Sequence, residues 1–98
     1  MSRMHNPPHP GEVLKGLWLD PAGITITAAA EALGVSRKHV SSITNGRAAI
    51  TADFALRLAA WLNTSPDTWM AMQAAHDLWR AAQERRPCIK AIQWQLAA

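Results

Sequence analysis

The chain has 98 residues, of which 49% are apolar and 17% charged, with a formal net charge of +3. That composition suits one ordered globular domain with a small core, and it excludes a disordered chain or one with room for a second core. The mild positive surplus permits a polyanionic partner without demanding one; the single cysteine, Cys88, excludes an internal disulfide and a cysteine-rich zinc site.

Residues 1–10 carry Pro7, Pro8 and Pro10 and read as an extended arm. The opening MSRMHNPPHPGE lacks the apolar segment of a secretory signal. No apolar run reaches the roughly 18–20 residues that span a bilayer, so a cytoplasmic protein is expected. Val13, Leu14, Leu17 and Trp18 predict a first helix over Glu12–Leu19. Asp20-Pro21-Ala22-Gly23 should stop it, because proline breaks the hydrogen-bond ladder and glycine accepts a left-handed exit. Thr25 or Thr27 is placed to cap a second helix with Ile26, Ala29, Ala30 and Leu33 inward and Gly34 at its end. Ser36 then caps a third helix to about Asn45 with Val40 and Ile43 inward, and Asn45-Gly46, both tolerant of positive φ, closes it.

Thr51 and Asp53 open a fourth helix to Asn63 that buries Phe54, Leu58 and Leu62. Ser65-Pro66-Asp67 combines a hydroxyl cap, a proline at the first helical position and an acid at the positive dipole end. It predicts the longest helix, reaching Arg85 or Arg86, so that the domain covers 11–86. In the tail, 87–98, Ile92, Trp94 and Leu96 alternate with Gln93 and Gln95, which favours a short strand; Ile89, Ile92 and Leu96 also fit a helical face.

The segment from Ile26 to Asn45 has the steric plan of a helix-turn-helix. Ala30 is small where two helices must approach, and four residues later Gly34 supplies a turn that a side chain would obstruct. The outer face of the third helix then carries Ser36, Arg37, Lys38, Ser41 and Ser42, with Thr44, Asn45 and Arg47 at its end. Short hydroxyls and cations are the groups that meet base edges and phosphates in duplex DNA, and the first turn of a helix offers phosphate its backbone N–H groups. The bland counterpart is a capped surface helix with a solvated polar face.

On the fifth helix, Trp69, Met72, Ala75 and Trp79 form one apolar stripe, and Met70, Ala74, Leu78 and Ala81 form another. One small core covers one stripe, so a homodimer is expected, with Trp69, Met72 and Trp79 as candidate interface residues. A wider core, with the tail over the second stripe, is the alternative.

The runs HPGEVLKGLWLDPAGIT at 9–25 and AAEALGVSRKHVSSITNGRAAITADFALRLAAWLNTSPDTWMAMQAAHDLW at 29–79 resemble the HigA (VapI) antitoxins, a branch of the Xre/lambda-repressor-like helix-turn-helix proteins. The resemblance implies an all-α, five-helix repressor-like domain with a short C-terminal tail. It also implies a homodimer on a palindromic operator of double-stranded DNA, repressing its own operon. The implied second partner is a HigB-type toxin, a RelE-like mRNA interferase that the antitoxin neutralises. Carried over by position, Ser36, Arg37, Lys38, Ser41 and Ser42 are recognition residues, flanked by Thr44, Asn45 and Arg47. Two copies of the third helix would enter successive major grooves roughly 34–36 Å apart. The tail PCIKAIQWQLAA is less typical of that family. A solitary Xre-type regulator with no toxin is the alternative.

Other signals rank lower. His5 and His9 are four apart, but Pro7 and Pro8 between them exclude a shared helix, so no metal is expected. Cys88 has no activating base nearby in sequence, and Asp67, Asp77 and Glu84 read as cap and solvent-face acids. No catalytic constellation and no cofactor motif is present, which argues against an enzyme.

Overall fold

The computed structural model describes residues 6–94, and among them it contains helices and no strand. The first helix, α1, is one continuous run of three segments: Pro10–Val13, a wider π-helical stretch Leu14–Leu19, and Asp20–Ala22. His9 caps it. Its Nδ1 accepts the Gly11 N–H at 2.9 Å, and its own N–H donates to the Glu12 carboxylate at 3.3 Å, closing a capping box.

Of the stop expected at Asp20-Pro21-Ala22-Gly23, the proline does not break the helix and only the left-handed glycine exit ends it. The Asp20 N–H already donates five residues back, to the Lys15 carbonyl. The ladder has changed register before Pro21, whose ring would crowd the i−4 carbonyl of a regular helix and which has no N–H to give. The helix ends at Gly23, in the left-handed region at φ 67.

The remaining helices are α2 (Ile26–Leu33), α3 (Arg37–Thr44), α4 (Ala52–Leu62) and α5 (Pro66–Ala82). The hydroxyls of Thr25, Ser36 and Thr51 accept the N–H groups of Ala28, His39 and Phe54 at 3.0, 3.0 and 3.2 Å. Each satisfies an N–H that its helix leaves unpaired. Ser65 makes no such bond, so α5 starts on Pro66 with Asp67 in its first turn. Asn45 has φ −90, and only Gly46 (φ 73) takes the positive angle that closes α3. The fifth helix ends at Ala82, one turn short of the expected limit, and Arg86 beyond it donates back to the Ala81 carbonyl. Residues 85–94 carry neither helix nor strand, with Ile89, Ile92 and Trp94 exposed. The arm at 1–5 and the tail at 95–98, including Leu96, lie outside the described residues.

Leu14, Leu19, Ala29, Ala30, Leu33, Val40, Ile43, Ile50, Phe54, Ala55, Leu58 and Trp69 form one buried cluster to which every helix contributes. Two contacts set the position of α3 within it. A Cβ on Gly11 would lie 1.7 Å from the Ile43 carbonyl oxygen, so α1 crosses α3 backbone to backbone where only glycine fits. From the other side, buried Gln73 of α5 accepts the Ile50 N–H at 2.7 Å and donates to Asp77 at 2.9 Å. Such a buried N–H would be costly left unpaired.

Candidate nucleic-acid interface

The α2–α3 unit is a helix-turn-helix built from local chemistry. Gly34 takes φ 69 at the end of α2, and the Val35 N–H donates to the Ala30 carbonyl at 3.1 Å to complete the turn. Ala29, Ala30 and Leu33 then meet Val40 and Ile43 in the core. Arg57 of α4 braces the turn from outside: its guanidinium donates to the Leu33 carbonyl at 2.7 Å and the Gly34 carbonyl at 3.3 Å, and to Asp53 at 2.8 Å. A cation over the last carbonyls of α2 also matches the negative end of its dipole. Sequence reasoning missed this brace; its one local trace is the i, i+4 spacing of Asp53 and Arg57.

With its apolar side anchored, α3 presents a polar face. Arg37, Lys38, Ser41, Ser42 and Arg47 line one open cleft of about 340 Å³, together with Ile26 from the first turn of α2. Arg37, Lys38 and Arg47 are exposed, and among the described residues none of the three takes part in an ion pair. The Arg47 and Ala48 N–H groups both donate to the Ser42 carbonyl, at 2.8 and 3.1 Å. These bonds fold the loop back and bring Arg47 to the cleft from beyond the helix end.

Ser36 and Asn45 are exposed at the two ends of α3 and outside the cleft lining, Asn45 donating to the Ser41 hydroxyl at 3.3 Å. Thr44 departs from expectation. It is 4% exposed, and its hydroxyl donates inward to the Val40 and Ser41 carbonyls at 3.0 and 3.2 Å, so it offers nothing to a ligand. Ile26 departs the other way. Its spacing with Ala29, Ala30 and Leu33 reads as core, yet it is only half-buried and lines the cleft; that follows from the crossing of α2 and α3, which periodicity does not carry.

On α5 the two stripes exchange roles. Trp69 is 2% exposed and donates its indole N–H to Thr64 at 2.9 Å within its own chain, so it is a core residue with no surface for a partner. Met72 and Trp79 are half-buried, Met72 in an apolar groove shared with Pro7, Pro8, Thr68, Ala71 and Ala75. The exposed stripe is Met70, Ala74, Leu78 and Ala81.

The seam between α1 and α5 holds a pair of histidines, His9 and His76. His9 is buried with its ring 5.0 Å from that of His76, edge to face, and His76 Nδ1 donates to the Pro7 carbonyl at 2.9 Å. Burial first, and the neighbouring His76 second, lower the His9 pKa against the pull of Glu12, Asp77 and the Ala48 backbone. Among the described residues no group of three His, Cys, Asp or Glu side chains is arranged to hold a metal, and no helix is long and apolar enough to cross a membrane.

A helix-turn-helix family model matches residues 17–69. Virulence-associated protein A' of Dichelobacter nodosus is 43% identical over 94 residues, covering 95% of this chain and 80% of that protein. Antitoxin HigA-1 of Vibrio cholerae is 49% identical over 69 residues, covering 70% of this chain and 65% of that protein. Among solved structures, Pseudomonas aeruginosa antitoxin HigA with the higBA promoter superposes with a TM-score of 0.76 at 38% identity, covering 79% of this chain and 84% of that one.

Proposed function

The chain belongs to the HigA family of helix-turn-helix proteins, and we propose that it is an antitoxin that binds the operator of its own operon and neutralises a HigB-type, RelE-like mRNA interferase. The observation that carries the DNA half of this reading is the cleft on α3. Three unpaired cations and two half-buried serines converge there with no acid among them. Arg47 grips phosphate just beyond the helix, while Arg37, Lys38 and Ser41 share the work between backbone and base edges. The Pseudomonas relative seen with promoter DNA supports the same use of the fold.

The working unit is a homodimer. Its contact surface is the exposed stripe Met70, Ala74, Leu78 and Ala81 rather than the inward Trp69, which sets two copies of α3 on one side of a palindromic duplex. With Arg47 on phosphate and Arg37 and Lys38 divided between phosphate and base edges, the dimer gives a salt dependence of log affinity with a slope between roughly −2 and roughly −5.

A mobility-shift titration with the DNA upstream of the chain's own reading frame, at several salt concentrations, tests this. Arg47→Ala should weaken specific and random duplexes alike and make the slope shallower by about 2 for the dimer. A changed base preference with nonspecific affinity intact would remove Arg47 from phosphate. Co-purification with the product of the adjacent reading frame tests the toxin. DNA binding without any such partner would make the chain a solitary regulator.

A further inference from the structure

We propose that Ile26 is a specificity-determining residue that reads the C5-methyl group of thymine in the major groove. The inference rests on the DNA-binding reading above and adds a base preference to it. Ile26 is the first residue of α2, and Thr25 already provides the cap, accepting the Ala28 N–H at 3.0 Å. Part of the Ile26 side chain packs on the core, and the rest lines the cleft beside Arg37, Lys38, Ser41, Ser42 and Arg47.

The other five lining residues are cations and hydroxyls, which match the phosphate oxygens and the nitrogen and oxygen atoms of base edges. A branched aliphatic group matches none of these. The major-groove edge of a duplex carries one apolar group, the thymine methyl, and it distinguishes thymine from cytosine and from both purines. A duplex seated on the three cations brings its groove edge against the same cleft, and there Ile26 and a thymine methyl exclude water from each other. A sugar contact would be equally apolar but indifferent to the methyl, and simple core packing would be indifferent to DNA altogether.

The three alternatives separate in one experiment. Sites enriched from a random duplex pool by the full-length chain are resynthesised with deoxyuridine in place of thymidine, which removes the methyl groups and keeps sequence and pairing. The wild-type chain should lose affinity on the uracil duplex by about fourfold per half-site, the worth of one buried methyl-sized group. Ile26→Ala should bind thymine and uracil duplexes equally, near the wild type's uracil affinity, and Ile26→Val should keep part of the discrimination. Melting temperatures of both variants are recorded alongside, since each also loses core contact. Equal wild-type affinity for the two duplexes overturns the proposal. So does an Ile26→Ala chain that is weaker on both duplexes yet still prefers thymine. If the wild type enriches no sequence at all, the DNA-binding reading itself falls and takes the inference with it.

Discussion

The α2–α3 unit and the α1–α5 seam are held together by different kinds of bond. In the first, nearly every decisive contact is local: Thr25 to Ala28, Ser36 to His39, Val35 to Ala30, each within five residues, with Gly34 at the turn. In the second, and in the contacts that α1 and α5 make with α3 and its following loop, the partners lie far apart in the chain: Pro7 with His76, Gln73 with Ile50, and Gly11 packed against the Ile43 carbonyl. The local unit carries the face proposed to meet DNA, and the long-range contacts set where that unit sits. A recognition helix of eight residues is too short to hold its own position, so its aim depends on the elements on which it rests.

The dependence of α3 on its supports is greatest at Gly11. Gly11→Ala puts a methyl into the Ile43 carbonyl and forces α1 off α3, a destabilisation of about 3 kcal/mol or more by denaturant titration. DNA affinity should fall with it although Gly11 lies outside the cleft; a variant of normal stability and affinity would show that the seam does not position α3. Gln73→Leu keeps the bulk but leaves the Ile50 N–H buried without its acceptor, at a cost of about 1–3 kcal/mol. Ser36→Ala, on the local side, should cost about 1 kcal/mol, and its effect should add to that of Gln73→Leu if the two regions are independent.

The smallest effect concerns pH. The His9 pKa is lowered below 6.5 by burial and by His76, so the unfolded chain takes up a proton that the folded chain resists. Stability from this group is complete above the unfolded pKa and declines as pH falls through it towards the lower folded value. Protonation also removes the lone pair that receives the Gly11 N–H. Melting temperature should therefore drop between about pH 7.5 and about pH 5.5, and His9→Asn, which keeps a capping acceptor without a charge to gain, should drop less. An equal decline in both chains would assign the effect elsewhere.

The same division explains what the sequence made legible. Caps at Ser36 and Thr51, the inward Val40 and Ile43, and the cleft residues Arg37, Lys38, Ser41 and Ser42 follow from spacing alone, because their partners lie within a turn or on one helix face. Thr44 lies next to that polar face but bonds back to its own helix, a choice open to any helical serine or threonine because the carbonyl three or four residues earlier can accept a second bond. Trp69 and Leu78 are equally apolar in sequence, and the tertiary path of α5 alone buries one and exposes the other. Helix-breaking rules fail at Pro21 because the π-helical turns before it change the ladder that the rule assumes. The brace from Arg57 crosses 24 residues to Leu33, and its local trace, the i, i+4 spacing of Asp53 and Arg57, does not point to that partner.

The surface proposed to meet DNA is α3 with its flanking Arg47. Titrating a selected duplex into the isotope-labelled full-length chain and following backbone amide shifts tests it residue by residue. The largest changes should fall on Ile26, on Arg37 to Ser42 and on Arg47, while Met70 and Leu78 of α5 stay in place. Changes concentrated on α5, with the α3 amides unmoved, would contradict the account.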